Sequence, residues 1–384
     1  MAKKRLIRIT TVPLSLDKLL EGQLRFMNEW YDVTAVSSEK DYLEQIGKKE
    51  GVETFHIEMT RKITPLKDVI SVIKMYFFFK KVKPFIVHTH TPKAGIVGML
   101  AAKLAGVPHR FHTVAGLPLL EAKGIKRKIV DCVEKLTYAS ATKVYPNSNA
   151  LKEIITQNDL CNLDKLKVIA NGSSNGIDTS YFDTSHFSVE ECSDLKKKLG
   201  IHATDFVFIF VGRIVADKGI NELLAAFSQL NKEVNKVKLL LVGPFEQDLN
   251  PLSFKTSKEI ETNSNVISVG YQNDVRPYFA LANCLVFPSY REGFPNVVMQ
   301  AGAMNLPSIV TNINGCNEII SEKLNGLFIP VKDKKAVFHA MKKIHFDADL
   351  CNQLKQSSRQ LIVNRYEQQA VWNAILEEYR TFEK

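Results

Sequence analysis

Residues 284–311 of this chain read CLVFPSYREGFPNVVMQAGAMNLPSIVT. The segment begins with a short apolar run, passes through a polar turn, continues as a helix-like stretch and ends in a second apolar run. Pro295 fits the first turn of the helix, where its missing N–H costs nothing. This order predicts two parallel strands joined by a crossover helix.

The same alternation extends along most of the chain. Candidate strands are short, apolar and rich in β-forming residues, and they span 6–12, 32–37, 52–58, 85–91, 109–115, 143–148, 166–171, 206–211, 238–242, 266–269, 284–288, 308–311 and 326–330. Helical patterns lie between them, for example at 16–30, 65–82, 94–105 and 126–141. The alternation predicts an α/β fold with parallel sheets and helices on both faces.

A polar segment interrupts the alternation. Residues 171–190, NGSSNGIDTSYFDTSHFSVE, are rich in Gly, Ser and Asp and indicate a linker. A chain of 384 residues is long enough for two domains that each bury a core. We therefore predict an N-terminal domain at 1–180, a C-terminal domain at 190–365, and a C-terminal helix at 366–384 that crosses back to the first domain.

Composition excludes several classes of protein. The chain is 45% hydrophobic and 24% charged, and its six cysteines form no CxxC pair, which favours a globular protein of a reducing cytoplasm over a disulfide scaffold or zinc site. The N-terminal MAKKRLIRITTV predicts a first strand rather than a signal peptide. The most lipid-like run, 69–79, is interrupted by Lys74 and is much shorter than the ~20 residues of a membrane span.

Positive charge is concentrated in the first half of the chain. Residues 1–150 carry 25 Lys and Arg against 14 Asp and Glu, whereas residues 151–384 carry 26 against 27. Between 59 and 120 there are ten basic residues and one acid, Asp68. This asymmetry predicts that the first half faces phosphate, nucleic acid or an acidic membrane surface; a solvated basic face without function is the alternative.

Candidate ligand-binding residues follow the strands of the second domain, because open parallel sheets bind ligands at the carboxyl ends of their strands. The strand at 206–211 is followed by GRIVADKG, in which Arg213 and Lys218 place two positive charges beside a helix start. This arrangement suits a diphosphate. The alternative is a salt-bridged loop in which Asp217 neutralises a neighbour. No GxGxxG or GxxxxGK[ST] motif supports a dinucleotide or P-loop site.

The loop after 284–288 adds polar groups to the same edge. Glu292 is badly placed for phosphate, since like charges repel, but it can accept hydrogen bonds from sugar hydroxyls. Asn296 and Gln300 are four residues apart and share a helix face. Gln300 can donate or accept toward hydroxyls deeper in the site.

These segments resemble glycosyltransferase family 4. The resemblance is carried by GRIVADKG, by VGPF, by residues 268–320, SVGYQNDVRPYFALANCLVFPSYREGFPNVVMQAGAMNLPSIVTNINGCNEII, and in the first half by VHTHTPKAGIVGMLAAKLAGVPHR, KVYPNS and NGID. It covers most of the chain. It implies a retaining enzyme of the GT-B fold, with two facing Rossmann-like domains.

The resemblance also implies roles for individual residues. Arg213 and Lys218 are expected to bind the donor diphosphate and Glu292 to contact the transferred sugar, with the backbone of Gly293, Phe294 and Asn296 nearby. The ribose contact is assigned to Gln300 and the base contact to Tyr271.

Two positions depart from the family's pattern. Position 300, usually a second glutamate, is glutamine, which keeps hydrogen bonding to ribose but loses the charge-assisted bond. Ala115 occupies the place of the usual histidine after the fifth strand. His112, three residues earlier, is a candidate catalytic substitute, and a buried strand histidine with a satisfied hydrogen bond is the alternative.

Metal dependence is not expected. Asp347-Ala-Asp349 matches a DxD pattern, but it lies in a helical tail away from any strand end, where one acid is interpreted as a helix cap and the other as a solvated side chain. We expect no metal or other cofactor, with Arg213, Lys218 and a helix N-terminus neutralising the leaving nucleotide.

Basic clusters in the first domain indicate the acceptor. The helix predicted at 65–82 combines apolar residues with lysines at 67, 74, 80, 81 and 83, and a second cluster contains Lys123, Lys126, Arg127 and Lys128. Both suit an anionic membrane surface, although an ordinary helix covering the sheet is the alternative. A polyprenyl-diphosphate-linked sugar at the cytoplasmic leaflet would explain the charge without a membrane span.

The sequence therefore predicts a retaining glycosyltransferase that uses a nucleotide sugar, UDP-linked rather than GDP-linked, to extend a polyprenyl-diphosphate-linked glycan. Its place would be the inner face of the bacterial plasma membrane, in assembly of capsule, O-antigen or lipopolysaccharide. Same-face attack is favoured because no protein nucleophile is evident. Two enzymatic alternatives keep the fold, a nucleotide-sugar epimerase and a transferase with a soluble acceptor. The non-enzymatic alternative is a nucleic-acid-binding protein, but the sequence contains no recognised nucleic-acid-binding motif.

Overall fold

The computed structural model describes residues 3–60, 62, 64–117, 123–246 and 250–383. The chain divides into two compact units. The first unit combines Met1–Gly176 with Gln368–Lys384, and the second is the continuous stretch Ile177–Glu367. The C-terminal helix thus belongs to the first unit, as the sequence predicts.

The first unit is built on a six-stranded parallel sheet with the strand order β3-β2-β1-β4-β5-β6. Its strands are β1 (Arg5–Ile9), β2 (Asp32–Ser37), β3 (Glu53–His56), β4 (Ile86–Thr89), β5 (His109–Val114) and β6 (Lys143–Pro146). Its helices are α1 (Pro13–Leu19), α2 (Gln23–Asn28), α3 (Lys40–Glu50), α4 (Pro65–Val82), α5 (Pro92–Ala105), α6 (Gly124–Ser140), α7 (Asn149–Gln157) and, from the other end of the chain, α16 (Gln368–Arg380).

The second unit has a parallel sheet of the same kind, in the order β12-β11-β10-β7-β8-β9. Its strands are β7 (Phe206–Val211), β8 (Val237–Val242), β9 (Val266–Ser268), β10 (Cys284–Phe287), β11 (Ser308–Thr311) and β12 (Gly326–Ile329). Its helices are α8 (Val189–Lys198), α9 (Ile220–Glu233), α10 (Phe254–Thr262), α11 (Arg276–Leu281), α12 (Asn296–Ala303), α13 (Cys316–Ile319), α14 (Lys334–Phe346) and α15 (Ala348–Tyr366).

Two element predictions are wrong, and both fail at left-handed residues. The strand predicted at 166–171 is reduced to an isolated bridge between Leu166 and Val144, because Ala170 turns the chain with φ at 50°. The helix predicted at 16–30 is two helices, separated at Gly22, where φ is 76°. A Cβ at Gly22 would lie 2.7 Å from the Trp372 ring of α16, so this break admits the C-terminal helix.

The predicted linker is mostly structured within the second unit. Ile177 donates a backbone hydrogen bond to Tyr366 O at 2.8 Å, and Ile177 and Phe182 are buried in the core of the unit. The unit boundary therefore lies between Gly176 and Ile177. The second crossing follows Glu367, where α15 ends and α16 begins.

The helix α16 completes the core of the first unit. Val371, Ile375 and Leu376 pack in one apolar cluster with residues of β1, β4 and β5. Its Tyr379 hydroxyl accepts a hydrogen bond from Arg8 Nη1 at 3.0 Å and contacts His88 Nδ1. Burial lowers the pKa of Arg8, and buried guanidinium groups need hydrogen-bond partners. Tyr379 therefore provides a polar contact that fixes α16 on the sheet.

Replacing Tyr379 by phenylalanine keeps the ring and removes the hydroxyl. Since Arg8 and His88 each lose a buried hydrogen-bond partner, we expect the free energy of unfolding of the first unit to fall by about 1–3 kcal/mol. Hydrogen exchange followed by mass spectrometry will show this as faster exchange in β1, β4 and α16, with the second unit unaffected.

Asn373→Ala is the matched control, because Asn373 is an exposed residue of the same helix. We expect it to change stability by no more than about 0.5 kcal/mol. Unchanged exchange in β1 and β4 of Tyr379→Phe would show that the hydroxyl does not fix α16.

Candidate functional site

The second sheet changes direction between β7 and β10. From β7 the chain adds β8 and β9 on one side, whereas β10, β11 and β12 lie on the other. Ligands of open parallel sheets bind at such a switch point, outside the carboxyl ends of the strands. Arg213 follows β7 and Glu292 follows β10, so the predicted site residues come from the two strands that flank the switch point.

Glycines at the strand ends bring the loops of this edge into backbone contact. Gly212 follows β7, Gly243 follows β8, and Gly270 lies two residues beyond β9. Gly243 N donates to Gly270 O at 2.9 Å, and a Cβ on Gly243 would lie 1.8 Å from Gly212 O. With φ at 149°, Gly243 also has a backbone conformation that other residues rarely adopt. The repeated Val-Gly in the sequence marks these three positions.

A second close approach positions Lys218. It ends a 3₁₀ turn, Ala216–Lys218, and is followed by Gly219 with φ at 73°. A Cβ on Gly219 would lie 2.1 Å from Pro288 O, and Tyr290 N donates to Asp217 O at 2.9 Å. The turn after β7 therefore rests directly on the loop after β10.

This packing brings Lys218 and Glu292 into contact. Lys218 Nζ forms an ion pair and hydrogen bond with Glu292 Oε1, and the two side chains are only 17% and 14% exposed. The ammonium group also lies 5.7 Å from the centre of the Phe287 ring. Sequence reasoning placed both residues at one edge, and the structure joins them directly.

The loop after β11 supports the loop that carries Glu292. Asn314 Nδ2 donates to Glu292 O at 3.0 Å and to Gly293 O at 2.8 Å. A Cβ on Gly315 would lie 2.3 Å from Gly293 O, so only glycine fits there. Sequence analysis missed Asn314, although its position three residues beyond the end of β11 and directly before a glycine was an available signal.

The predicted helix start is present one residue later than expected. α12 begins at Asn296, and Pro295 is its N-cap, with φ −76° and ψ 107°. Within the described residues, the amides of Gly293 and Phe294 donate to no protein acceptor. Asn296 and Gln300 lie one turn apart on α12 and are both half-buried. The N-terminus of α12 therefore offers N–H groups beside Glu292.

Three cations of this edge, Lys218, Arg213 and Arg291, are each paired with a carboxylate. Arg213 Nη1 lies 2.9 Å from Glu246 Oε2, and Arg291 Nη2 lies 3.0 Å from Asp217 Oδ2. Asp217 thus neutralises Arg291 rather than Arg213 or Lys218. The salt-bridged loop that the sequence offered as an alternative exists, but in it Asp217 pairs with Arg291. The two predicted cations, Arg213 and Lys218, pair instead with Glu246 and Glu292.

Two further titratable groups adjoin the site. Burial raises the pKa of Tyr290, and its hydroxyl donates to Glu222 Oε2 at 2.8 Å, which raises the pKa further. Burial also raises the pKa of the Cys316 thiol well above its ordinary value, with Glu292 adding to the effect. Both groups stay protonated near neutral pH, so neither is suited to act as a nucleophile.

Tyr271 lies beyond the glycine cluster. Its side chain is 63% exposed and directly follows Gly270. An exposed ring at the edge of the site is available for stacking. No described contact joins Tyr271 or Gln300 to the Lys218–Glu292 pair.

The structure does not support the catalytic candidate His112. It is 2% exposed in the first unit, and its Nδ1 lies 2.7 Å from Thr89 Oγ1. A Cβ on Gly95 of α5 would lie 2.6 Å from the His112 ring, so the helix covers the imidazole closely. Burial lowers its pKa to about 4. His112 is therefore a neutral core histidine, the alternative that the sequence left open.

The DxD match is a helix start, as interpreted from the sequence. Asp347 caps α15 by accepting from Leu350 N at 2.9 Å, and Asp349 lies in the first turn. In the part of the chain that the structure describes, no group of three or more His, Cys, Asp or Glu side chains is arranged to hold a metal ion.

Comparisons with known proteins address the family. Residues 193–361 match the family "Glycosyl transferases group 1", and residues 23–148 match "Glycosyl transferase 4-like". The capsular polysaccharide biosynthesis glycosyltransferase CapM of Staphylococcus aureus is 33% identical over 386 residues, covering 100% of this chain and 99% of CapM.

A second relative and a solved structure extend the likeness. The UDP-Gal:alpha-D-GlcNAc-diphosphoundecaprenol alpha-1,3-galactosyltransferase of Escherichia coli is 31% identical over 351 residues, covering 88% of this chain and 86% of the relative. Alr3699/HepE of Anabaena, solved in complex with UDP, superposes with a TM-score of 0.82 at 16% identity, covering 98% of this chain and 100% of that structure.

The likeness in structure concerns the fold, and the two curated relatives establish the family. Their identity extends over most or all of both chains, and the family matches fall on both units. The two six-stranded parallel sheets have the layout of GT-B enzymes. The chain therefore belongs to glycosyltransferase family 4 and is a glycosyltransferase of the GT-B fold.

Proposed function

We propose that this enzyme transfers a sugar from a UDP-sugar, with retention of configuration, to a polyprenyl-diphosphate-linked saccharide during assembly of a bacterial surface polysaccharide. The observation that carries the proposal is the Lys218–Glu292 contact at the switch point of the second sheet. It places a cation for a diphosphate directly beside an acceptor for sugar hydroxyls. The names of the two relatives, from capsule synthesis and from transfer to a diphosphoundecaprenol, support the acceptor class.

In this proposal the donor lies along the carboxyl edge of the second sheet. Arg213 and Lys218 bind the diphosphate, together with the amides of Gly293 and Phe294 and the helix start at Asn296. The remaining roles fall to three side chains: Glu292 accepts from hydroxyls of the transferred sugar, Gln300 binds the ribose, and Tyr271 stacks on the base.

The chemistry follows from these positions. The acceptor hydroxyl attacks the anomeric carbon on the face from which the diphosphate departs, the carbon–oxygen bond to the phosphate breaks, and the hydroxyl proton passes to the departing phosphate oxygen. Arg213, Lys218 and the N-terminus of α12 stabilise the charge that develops on the diphosphate. We propose that these groups do so without a metal or other cofactor.

The acceptor side of the proposal concerns the outer helices of the first unit. Exposed apolar side chains form a stripe at i, i+4, i+7 and i+11 on α4, through Leu66, Ile70, Ile73 and Phe77. A second exposed stripe runs along α6 through Ile125, Ile129, Cys132 and Leu136. α4 and α6 both pack on α5, so the two stripes belong to one layer of helices.

Lysines flank both stripes, at 67, 74, 80 and 81 on α4 and at 126, 128 and 135 on α6. Such a surface suits the anionic lipids of the cytoplasmic leaflet. No helix in the described residues has the length and hydrophobicity needed to cross a bilayer. We therefore propose peripheral binding of the enzyme to the membrane that holds its acceptor, and no nucleic-acid partner.

The donor site is tested with a panel of UDP- and GDP-sugars and GlcNAc-diphosphoundecaprenol, by following transfer to the lipid. We expect transfer from a UDP-sugar, and a loss of about 100- to 1,000-fold in kcat for Arg213→Ala and for Lys218→Ala, because each removes a charge that stabilises the leaving group. Lys232→Ala, at the far end of α9, is the control and should retain full activity.

Near-normal turnover in either site variant would overturn the assignment. Release of an altered free sugar would instead indicate an epimerase. Transfer to a small sugar alone would indicate a soluble acceptor. Salt-steep RNA binding without UDP binding would exclude the proposal altogether.

Gln300→Glu tests the ribose contact. A carboxylate accepts ribose hydroxyls in charge-assisted bonds, so we expect UDP affinity, measured by calorimetry, to be unchanged or increased. Asn296→Asp, one turn earlier, puts the same charge at the helix start proposed for the diphosphate and should weaken UDP binding. Loss of binding in Gln300→Glu would mean that this residue does not face the ribose.

Membrane binding is tested with vesicles containing phosphatidylglycerol. Replacing both Lys80 and Lys81 by glutamate should weaken partitioning by about 2 kcal/mol or more, about 30-fold, because each basic group near an anionic surface contributes about 1 kcal/mol. The paired control, Lys334→Glu with Lys335→Glu, changes two exposed lysines of the second unit. If binding of the wild-type protein to these vesicles is undiminished in ~0.5 M salt, the lysines do not contribute to membrane binding through electrostatic attraction.

A further inference from the structure

The first unit contains a small polar cavity at the carboxyl ends of β4, β5 and β6. It has a volume of about 20 Å³, and His90, Asn147 and Ser174 contribute to its lining, which is enough space for one water molecule or one hydroxyl oxygen. His90 is only 4% exposed. Neither of its ring nitrogens has a protein hydrogen-bond partner among the described residues, and the same is true of Asn147 Oδ1 and Ser174 Oγ.

Such a concentration of unpartnered buried atoms is unusual. Buried polar side chains nearly always have hydrogen-bond partners, because an unsatisfied group loses its hydration without compensation. Here four such atoms belong to three residues that line one cavity. The arrangement is therefore that of a site that receives a small polar group.

The neighbouring residues determine what His90 can offer. Its ring stacks on His88 at 4.2 Å between centres, and the His88 nitrogens contact the hydroxyls of Tyr379 and Thr113. Burial lowers the pKa of His90 well below its ordinary value, and the nearby His88 and Arg8 lower this pKa further. His90 is therefore neutral and presents one N–H donor and one lone pair.

The loop that carries Ser174 has an unusual backbone. In 170–176, four residues have left-handed φ values: Ala170 at 50°, Gly172 at 88°, Ser173 at 64° and Gly176 at 68°. Non-glycine residues in this region store strain, which the surrounding contacts must balance, and such strain is concentrated at functional sites. The loop is closed against the cavity wall by Ser173 N, which donates to Asn147 O at 2.8 Å.

Asn175 provides the main support of the loop. Its Oδ1 accepts from Gln23 Nε2 at 2.9 Å and from Trp372 Nε1 at 2.7 Å, and its Nδ2 donates to Glu21 O at 3.0 Å. Elements from both ends of the chain thus hold Ser174 beside the cavity. Ser174 and Ile169 are only half-buried, so they form the side of the cavity that lies nearest to solvent.

The donor and acceptor pattern identifies the ligand class. Asn147 Oδ1 only accepts, which is unfavourable for an anion, and the buried Arg8 nearby is unfavourable for a cation. A hydroxyl can donate to Asn147 Oδ1 and accept from the N–H of His90, and Ser174 can either donate or accept. The cavity is therefore complementary to a neutral hydroxyl.

We propose that this cavity binds one hydroxyl group of the acceptor saccharide and so selects the sugar that the enzyme extends, an inference that rests on the proposed function. His90, Asn147 and Ser174 are then specificity-determining residues on the acceptor side. They act on binding of the acceptor and not on the donor site of the second unit.

The test compares His90→Phe with the wild-type enzyme, using GlcNAc-diphosphoundecaprenol and analogues that each lack one sugar hydroxyl. The variant should raise the acceptor KM about tenfold, as expected for one or two lost neutral hydrogen bonds, with UDP affinity unchanged. One deoxy analogue should show the same loss with the wild type and no further loss with His90→Phe. Ser174→Ala, on the half-buried side, should reproduce the effect in milder form if His90→Phe folds poorly.

His109→Phe is the control, because His109 is the first residue of β5 and lies at the amino end of the strand, away from the cavity at the carboxyl ends. This variant should leave the acceptor KM unchanged. If the wild type transfers the sugar and both His90→Phe and Ser174→Ala keep the wild-type acceptor KM, the cavity holds only an ordered water. That result overturns the inference but leaves the proposed function intact. Absence of wild-type transfer to any lipid-linked saccharide would overturn both.

Discussion

The carboxyl edge of the second sheet depends on backbone approaches that only glycine permits. Gly243 lies against Gly212, Gly219 against Pro288, and Gly315 against Gly293. A side chain at any of these positions would push two loops apart by an ångström or more, because the nearest atoms are rigid backbone. The position of each charged group at this edge follows from these contacts.

One result of this close packing is an edge whose charges are already paired. Glu246, Glu292 and Asp217 each contact one of the three cations, so the protein alone carries no uncompensated charge from these six groups. A diphosphate entering the site competes with carboxylates as well as with water. Its net binding energy is therefore a difference between two sets of ion pairs, which lowers affinity while keeping the cations in position.

Most of the architecture could be predicted because parallel strands buried on both faces have a strong sequence pattern. All six strands of the second sheet agree with their predicted spans to within one residue at each end, and β7 and β11 agree at both ends. The errors arose where tertiary contacts decide local structure: Gly22 breaks a helix to admit Trp372, and Ile177 and Phe182 draw a Ser- and Gly-rich segment into a core.

The candidate site was foreseen in part for a similar reason. Strand ends and a helix start indicate which residues share an edge, and Arg213, Lys218 and Glu292 do so. Which cation contacts which acid depends on glycine approaches between distant segments, and sequence spacing does not reveal these. The cluster of His90, Asn147 and Ser174 was missed because its residues follow different elements and are not joined by one sequence motif. His112 was chosen as a candidate for its position in the sequence, and in the structure it is a residue of the core.

The placement of α16 has a consequence for biosynthesis. The second unit is one continuous segment and can complete its core as soon as residue 367 has left the ribosome. The first unit, although most of it is made first, lacks Val371, Ile375 and Tyr379 until the segment that follows the second unit has been synthesised. Nascent domains usually fold in order from the N-terminus, but here the first unit cannot complete its core before the second unit has been made, and the apolar face beneath α16 stays uncovered until then.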